Sequence, residues 1–369
     1  MKTFDAVVVG GGVIGCSLAR DLAGHGWKVA VIERGAKPGE ESSWAAAGML
    51  SPSAEAHEGS PLFELGRASL KLYRAFAKEL SLETGIDPQY RSEGTLLLFE
   101  SEMERQRILP AIEWQKSRGA AIEELSAKQV REHEPRLNGR TAGFYIADDH
   151  QIDNRLLVRA LVESCRRRGV SLITGEAVQE VEHTGGKVNG VALPSERIAA
   201  SRVINAAGAW AGSILVRELP PAPIRPVKGQ MIALNPPAQV LTRVVRSHSV
   251  YLVPRSGGRV IVGSTMEDAG FDKTPRSGAL ARLLCAAQRL CPDLEESTIP
   301  EFWAGLRPAA PDSLPIIGPT ALDGYWVALG HFRNGILLTP ITTQIVSSWL
   351  LTGSPGFHAD ALLPQRFGM

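Results

Sequence analysis

"VVVGGGVIG", residues 7–15, joins a short β-rich run to a helical one, and its glycines decide how the N-terminal part of the chain folds. Val7 to Val9 close the run "FDAVVV". Ile14, Leu18 and Leu22 then recur at every fourth position, the spacing of one helix face. "KVAVIE", residues 28–33, reads as a second buried strand. Strand, glycine turn, helix, strand makes one βαβ unit, with a right-handed crossover. The turn carries G-x-G-x-x-G at Gly10, Gly12 and Gly15, and Glu33 closes the second strand. That context separates a dinucleotide site from a chance glycine cluster. Gly10 permits the tight turn, Gly12 lets the backbone approach a pyrophosphate, and Gly15 lets helix and strand pack closely. The helix N-terminus offers unpaired N–H groups to phosphates, and Glu33 can accept hydrogen bonds from ribose hydroxyls.

The fingerprint leaves open which dinucleotide binds. "EESSWAAAGML", residues 40–50, has small side chains, two serines and a glycine, and "AAAGML" is too apolar for an ordinary surface loop. Such a segment can lie against a flat ring and donate backbone N–H groups to it.

Further along, 67–84, 102–118, 154–168 and 277–291 read as amphipathic helices, with "GTLLLF" a strand between the first two. "VSLITG", "AVQEVEH" and "RVINAAGAWA" continue the nucleotide-binding style. Residues 221–266 change character: "GQMIAL", "VYLVPR" and "RVIVGST" alternate with Pro and Gly turns, an antiparallel signature. The prolines of "FWAGLRPAAPDSLPIIG" argue for a long loop. Near the end, "GHFRNGILLTP" places a loop at 330–338 before a helix with Thr339 as N-cap and Pro340 at its first position. Ile341, Ile345 and Trp349 would give that helix its buried stripe. The two strand styles alternate along the chain. The fold class is therefore α/β (α+β overall): a Rossmann-like domain interleaved with a domain on a mostly antiparallel sheet. The expected boundaries are 1–85, 145–220 and 300–369 for the first, and 86–144 and 221–299 for the second.

Forty basic residues against 39 acidic ones, a net charge of +1, make no electrostatic case for nucleic acid or an anionic membrane. Arg166, Arg167 and Arg168 read as a solvated helix end. The most apolar stretch, "IAASRVINAAGAWAGSILV", is interrupted by Arg202 and Asn205 and does not suit a membrane span. Four cysteines without metal spacing fit inert thiols in a reducing cytoplasm, and no metal site is expected.

"VVVGGGVIG", Glu33, "SSWAAAGML", "VINAAGAWA", "FWAGLRP" and "GHFRNGILLTP", in this order, resemble the D-amino-acid-oxidase-like FAD-dependent oxidoreductase family, over residues 4 to about 352. The resemblance implies that FAD is held through Val13 and Ile14 at the fingerprint, Glu33 and Arg34 at the ribose, and Ser42 and Ser43 near the phosphates. Ala46, Ala47, Gly48 and Met49 would line the flavin ring, and Val178 would meet the adenine through its backbone. His331, Phe332, Arg333, Asn334, Gly335, Ile336 and Leu337 would wrap the pyrimidine end. Arg307 and Arg333 match substrate-binding arginines, with Tyr251 and Met266 lining the pocket. One branch of the family tethers its flavin through a cysteine in the C-terminal third. No cysteine follows Cys291, so the FAD is expected to be non-covalent.

The resemblance further implies oxidative deamination of glycine, sarcosine and small D-amino acids, with the α-hydrogen leaving as hydride to flavin N5. The imino acid would hydrolyse to an oxo acid and ammonia, dioxygen would be reduced to hydrogen peroxide, and the reaction would serve thiamine thiazole synthesis. A guanidinium grips a carboxylate through two parallel hydrogen bonds, which suits Arg307 to an amino-acid substrate. His331 and His248 are better read as structural histidines than as general bases. Two alternatives stand beside this reading: a dehydrogenase with a non-oxygen acceptor, and a flavin-binding protein without catalysis. A homo-oligomer is compatible with the sequence.

Overall fold

"KTFDAVVV" forms strand β1 (Lys2–Val9), and its valines are buried on both faces. A strand covered on both sides loses the usual polar alternation, and Val7 and Val8, both 0% exposed, sit at the centre of a parallel sheet. Helix α1 (Val13–Gly24) follows, then strand β2 (Val29–Glu33), which pairs parallel with β1. Ile14, Leu18 and Leu22 are all buried, as the periodicity requires. The computed structural model describes residues 2–55 and 57–369.

The parallel core runs from Ser171–Thr174 through β2 and β1 to Arg197–Asn205 and Tyr325–Leu329. Glu180–Thr184 and Lys187–Ala192 add an antiparallel hairpin to this nine-stranded sheet. Helices α1, Pro61–Thr84, Asn154–Arg167 and Thr339–Thr352 pack over one face around Leu18, Tyr73, Leu161 and Ile345. A second, eight-stranded sheet is antiparallel apart from the parallel pairing of Val244–Arg246 with Thr95–Phe99. The early strand Thr95–Phe99 thus lies inside a sheet built mainly from later residues. The two units interleave along the chain, and the α/β reading of the sequence holds.

Several elements depart from the sequence expectations. "FWAGLRPA" is no loop: Thr298–Ala309 is a 12-residue strand paired antiparallel with Arg225–Asn235. It lies at the edge of its sheet, where proline's missing N–H costs no ladder bond, and Pro308 stands opposite Pro226. Residues 300–309, expected in the dinucleotide unit, pair with a strand of the second sheet. Ala142–Ile146 also belongs to the second sheet, past the expected limit of 144. The helix expected from 67 starts at Pro61, where Ser60 caps it by accepting from the Leu62 amide.

In the final helix, Leu338 holds the cap position and Thr339 is already helical. The Leu338 amide donates to the Asn334 carbonyl at 2.8 Å, so the turn is under way before Thr339. The Thr339 hydroxyl donates back to the Gly335 carbonyl, and no side chain caps this helix start. Arg168 is no solvated helix end: it bonds Glu79, Glu83 and the Arg20 carbonyl. Cys16, Cys165 and Cys291 are buried and Cys285 is exposed. No helix among the described residues is long and apolar enough to cross a membrane.

Candidate active site

One cavity runs from the glycine turn to the inner surface of the second sheet. At its nucleotide end, Gly10 has φ of 103°, and a Cβ there would stand 2.5 Å from the Ala206 carbonyl oxygen. A Cβ on Gly15 would fall 1.9 Å from the Gly10 carbonyl oxygen, so any side chain would force α1 off its turn. Gly15 sits behind the cavity and shapes it without lining it. The Glu33 carboxylate is buried and accepts from the amides of Gly11 and Gly35 at 2.8 and 2.7 Å. Arg34 lies over the Trp210 ring at 3.9 Å, with Glu41 at 3.7 Å. Val178 lines the same cavity.

The segment after β2 turns across the cavity. Ser42–Ala45 is one helical turn, Ser43 accepts from the Val13 amide, and the Ser42 hydroxyl donates to the Leu306 carbonyl. Ala46, Ala47, Gly48 and Met49 form the next stretch of wall. Gly48 is in the left-handed region at φ of 71°, and a Cβ would meet the Ile152 carbonyl oxygen at 2.0 Å. Arg255 is buried behind this wall, beside Asp153 at 3.5 Å, and burial pushes its guanidinium down to about 10. It stays charged at neutral pH.

The far end is built from three strands and one loop. Arg307, on Thr298–Ala309, donates to the Ser264 hydroxyl at 2.5 Å and the Thr265 carbonyl at 3.2 Å. The opposing strand carries Gly229, whose missing side chain makes room for the guanidinium. Tyr251 reaches over Gly263, where a Cβ would lie 2.4 Å from its hydroxyl, and donates to the Met231 sulfur at 3.7 Å. The loop at 331–338 is pinned to the Arg307 strand by the Phe332 amide, which donates to the Pro308 carbonyl. Phe332 itself has φ of 47°, an uncommon conformation for an aromatic residue. His331 is buried, with Nε2 3.0 Å from the Thr342 hydroxyl, and burial lowers its pKa to about 3.

The structure brings most of the sequence-predicted residues to this one cavity: Gly10, Gly12, Val13, Ile14, Glu33, Arg34, Ser42, Ser43, the 46–49 run, Val178, Tyr251, Arg307, His331, Phe332, Arg333, Gly335 and Ile336. Gly15, Met266, Asn334 and Leu337 do not line it. Met266 is 64% exposed and is no pocket wall. Its neighbours Thr265 and Glu267 bond back to Gln230 and Lys228, and the alternation turns Met266 to solvent. Asn334 forms the turn of the loop, and Leu337 is core beneath it, its carbonyl accepting from the Ser69 hydroxyl at 2.6 Å. His248 is exposed, 3.0 Å from an Arg107 nitrogen. The sequence reading misses Gly229, Ser264 and Trp210, which line the cavity, and Asn154 and Arg255 behind it. Only pairing across strands reveals Gly229 and Ser264; no spacing in the chain marks them.

Residues 5–349 match the family described as FAD dependent oxidoreductase. The chain is similar to glycine oxidase of Pseudomonas aeruginosa, 35% identical over 350 residues and 94% of each sequence. It is 34% identical to the bifunctional protein ThiO/ThiG of Trichormus variabilis, across 95% of this chain and 53% of that protein. The chain thus spans about half the length of that bifunctional relative. The crystal structure of glycine oxidase from Geobacillus kaustophilus superposes with a TM-score of 0.94 at 32% identity, covering 98% of each chain. FAD is the cofactor these matches imply, and the glycine cradle at Gly10, Gly12 and Gly15, the N-cap Gly12 without a side chain and the cavity that opens beside them suit it. From its nucleotide turn to its arginine-lined end, the chain belongs to the FAD dependent oxidoreductase family.

Proposed function

We propose that this protein is an amino acid oxidase that deaminates glycine and other small amines, such as sarcosine and small D-amino acids. The products are an oxo acid, hydrogen peroxide and the released amine (ammonia from a primary amine, methylamine from sarcosine), with dioxygen as terminal acceptor, and the reaction supplies thiamine thiazole synthesis. The observation that carries the reading is Arg307: a guanidinium held in the same cavity as the nucleotide turn, with space cleared by Gly229. FAD, when bound, supplies the two-electron acceptor for oxidation of the substrate's C–N bond.

The chain's own residues bind and orient. Arg307 pairs with the substrate carboxylate through parallel N–H donors, which fixes direction as well as charge. Tyr251, part-buried on the adjoining wall, adds a hydroxyl at that end. Orientation of this kind supplies much of the rate when the chemistry belongs to the cofactor. His331 is the histidine of the wall, and it is neutral above about pH 3 with its ring committed to Thr342. Its place is structural. The substrate amine is taken in its neutral form, so that its own lone pair assists oxidation at the α-carbon. Val13, Ile14, Glu33, Arg34, Ser42, Ser43 and Val178 hold the nucleotide half of the cofactor, and 46–49 with 331–336 hold the ring. The names of the relatives and the placement of these residues along one cavity support this assignment.

Oxygen uptake with peroxide detection across glycine, sarcosine, D-alanine, D-proline and L-amino acids tests the proposal. Peroxide formed with glycine or sarcosine supports it. Turnover only with an artificial acceptor would make the protein a dehydrogenase, and no turnover with any amine would leave a flavin-binding protein without this activity.

A further inference from the structure

Side chains of both units converge on the back of the 43–48 segment and take the carbonyls of Ser43, Trp44, Ala45 and Ala47. Asn154 donates to the carbonyls of Ser43 and Trp44 at 2.8 and 3.0 Å. The Trp303 indole donates to the Ala45 carbonyl at 3.1 Å. Arg255 donates to the Ala47 carbonyl at 2.6 Å and to the Asn154 side-chain oxygen at 3.1 Å. Asn154 and Arg255 are both buried, so these bonds are shielded from competing water. The close approach is built in: a Cβ on Gly305 would lie 2.4 Å from the Ala45 Cβ.

A trans peptide unit is planar, and its C=O and N–H point in opposite directions. A carbonyl held from behind therefore aims the next residue's amide forward. Trp303 does this for the Ala46 amide, and Arg255 for the Gly48 amide. Neither amide has a protein acceptor among the described residues, and both residues line the cavity. The amides of Trp44 and Ala45, by contrast, are used by the Gly39 and Glu41 carbonyls.

We propose that Trp303 and Arg255 are positioning residues that aim the Ala46 and Gly48 amides at an electron-rich edge of the bound flavin. The inference rests on the reading that 46–49 face the flavin ring. Fixed donors in a dry site favour the state carrying more negative charge, and two-electron reduction makes the ring more electron-rich. The pair thus supports the cofactor's reduction potential as well as its retention.

The experiment uses the holoenzyme with Trp303→Phe and Arg255→Lys. Phenylalanine keeps a ring for Arg155 to stack on while deleting the indole N–H, and lysine keeps a charge beside Asp153. The measurements are the FAD dissociation constant, the midpoint potential of the bound FAD, and the melting temperature of the apoprotein. Expected for each variant is FAD binding about tenfold weaker, the size of one buried hydrogen bond, together with a more negative potential. A lowered apoprotein melting temperature with an unchanged potential in both variants would overturn the proposal, because that is the signature of packing alone. Ala46→Pro separates this failure from failure of the underlying reading: it removes one amide at a position whose φ of −65° proline adopts. If Ala46→Pro alone moves the potential, 46–49 do face the ring and the two side chains do not set their aim. If none of the three moves it, the reading itself fails.

Discussion

The Arg307 guanidinium occupies the space that a side chain on Gly229 would need: a Cβ there would stand 2.4 Å from both terminal nitrogens. The two residues sit on paired antiparallel strands, with Val227 directly opposite Arg307. A glycine in mid-strand weakens the ladder, and here the weakness makes room for a cation beside the cavity. Gly229→Ala meets only the end of a flexible side chain, so the sheet tolerates it and Arg307 moves. The expected result is full FAD content and an unchanged melting temperature with a KM for glycine raised about tenfold, the effect of losing roughly 1.4 kcal/mol of binding. An unchanged KM would mean that Arg307 reaches substrate from another rotamer.

Arg307→Ala removes the carboxylate partner outright. Steady-state kinetics should show a loss of about 2–5 kcal/mol in kcat/KM, carried mainly by KM, as for truncating one side of a desolvated charge pair. Arg307→Lys should recover only part of it, because a point charge cannot reproduce the planar fork. Normal kinetics in Arg307→Ala would take this residue out of the site.

Glu33 has two tasks that one variant exposes together. Its carboxylate accepts from the amides of Gly11 and Gly35, so it shapes the glycine turn as well as lining the cavity beside it. Glu33→Ala should speed FAD loss on gel filtration and lower stability by about 2 kcal/mol, the scale of a charge-assisted bond. Undiminished flavin content with reduced stability would restrict Glu33 to the turn.

His331 makes the protein acid-sensitive in a defined window. Burial lowers its folded pKa to about 3, below the value of about 6.5 for an unfolded histidine. The unfolded chain then binds more protons as pH falls below 6.5, and stability drains until about pH 3. Asp149 works in the opposite sense: burial raises its folded pKa to about 6, so its contribution weakens as pH rises from about 4 toward 6. His331→Gln keeps a hydrogen-bonding group for Thr342 and removes the titration. Thermal melts from pH 7 to pH 4 should show a shallower loss for the variant. The wild-type slope in His331→Gln would show that other groups set the acid limit.

The α/β fold and a dinucleotide site were legible because short-range patterns carry them, and the resemblance along the whole chain narrowed the dinucleotide to FAD. The glycine turn, the helix spacing of Ile14, Leu18 and Leu22, and the acid closing β2 lie within one continuous stretch. The 331–337 loop was legible for a similar reason, as a charged turn ahead of an apolar helix. Misreadings came where a residue's environment is supplied from far along the chain. The prolines of 302–318 suggested one long loop because the edge placement of residues 302–309 in a sheet is invisible locally. Met266 looked like a pocket residue, and the bonds of its neighbours to Lys228 and Gln230 turn it outward. Thr339 had the right side chain for a cap, but a turn already begun at Asn334 leaves it inside the helix.

By itself, the sequence determined the βαβ nucleotide unit, the interleaving of two strand styles and the pairing of a phosphate-binding turn with a distant arginine loop. Those follow from periodicity and from glycine's backbone freedom, both of which are written residue by residue. Only the tertiary structure decided that Gly229 makes room for Arg307, that Ser264 and Thr265 hold it, and that Trp303 and Arg255 aim the Ala46 and Gly48 amides. Each is a contact between segments tens to hundreds of residues apart, and its geometry exists only once two sheets have packed around one cavity.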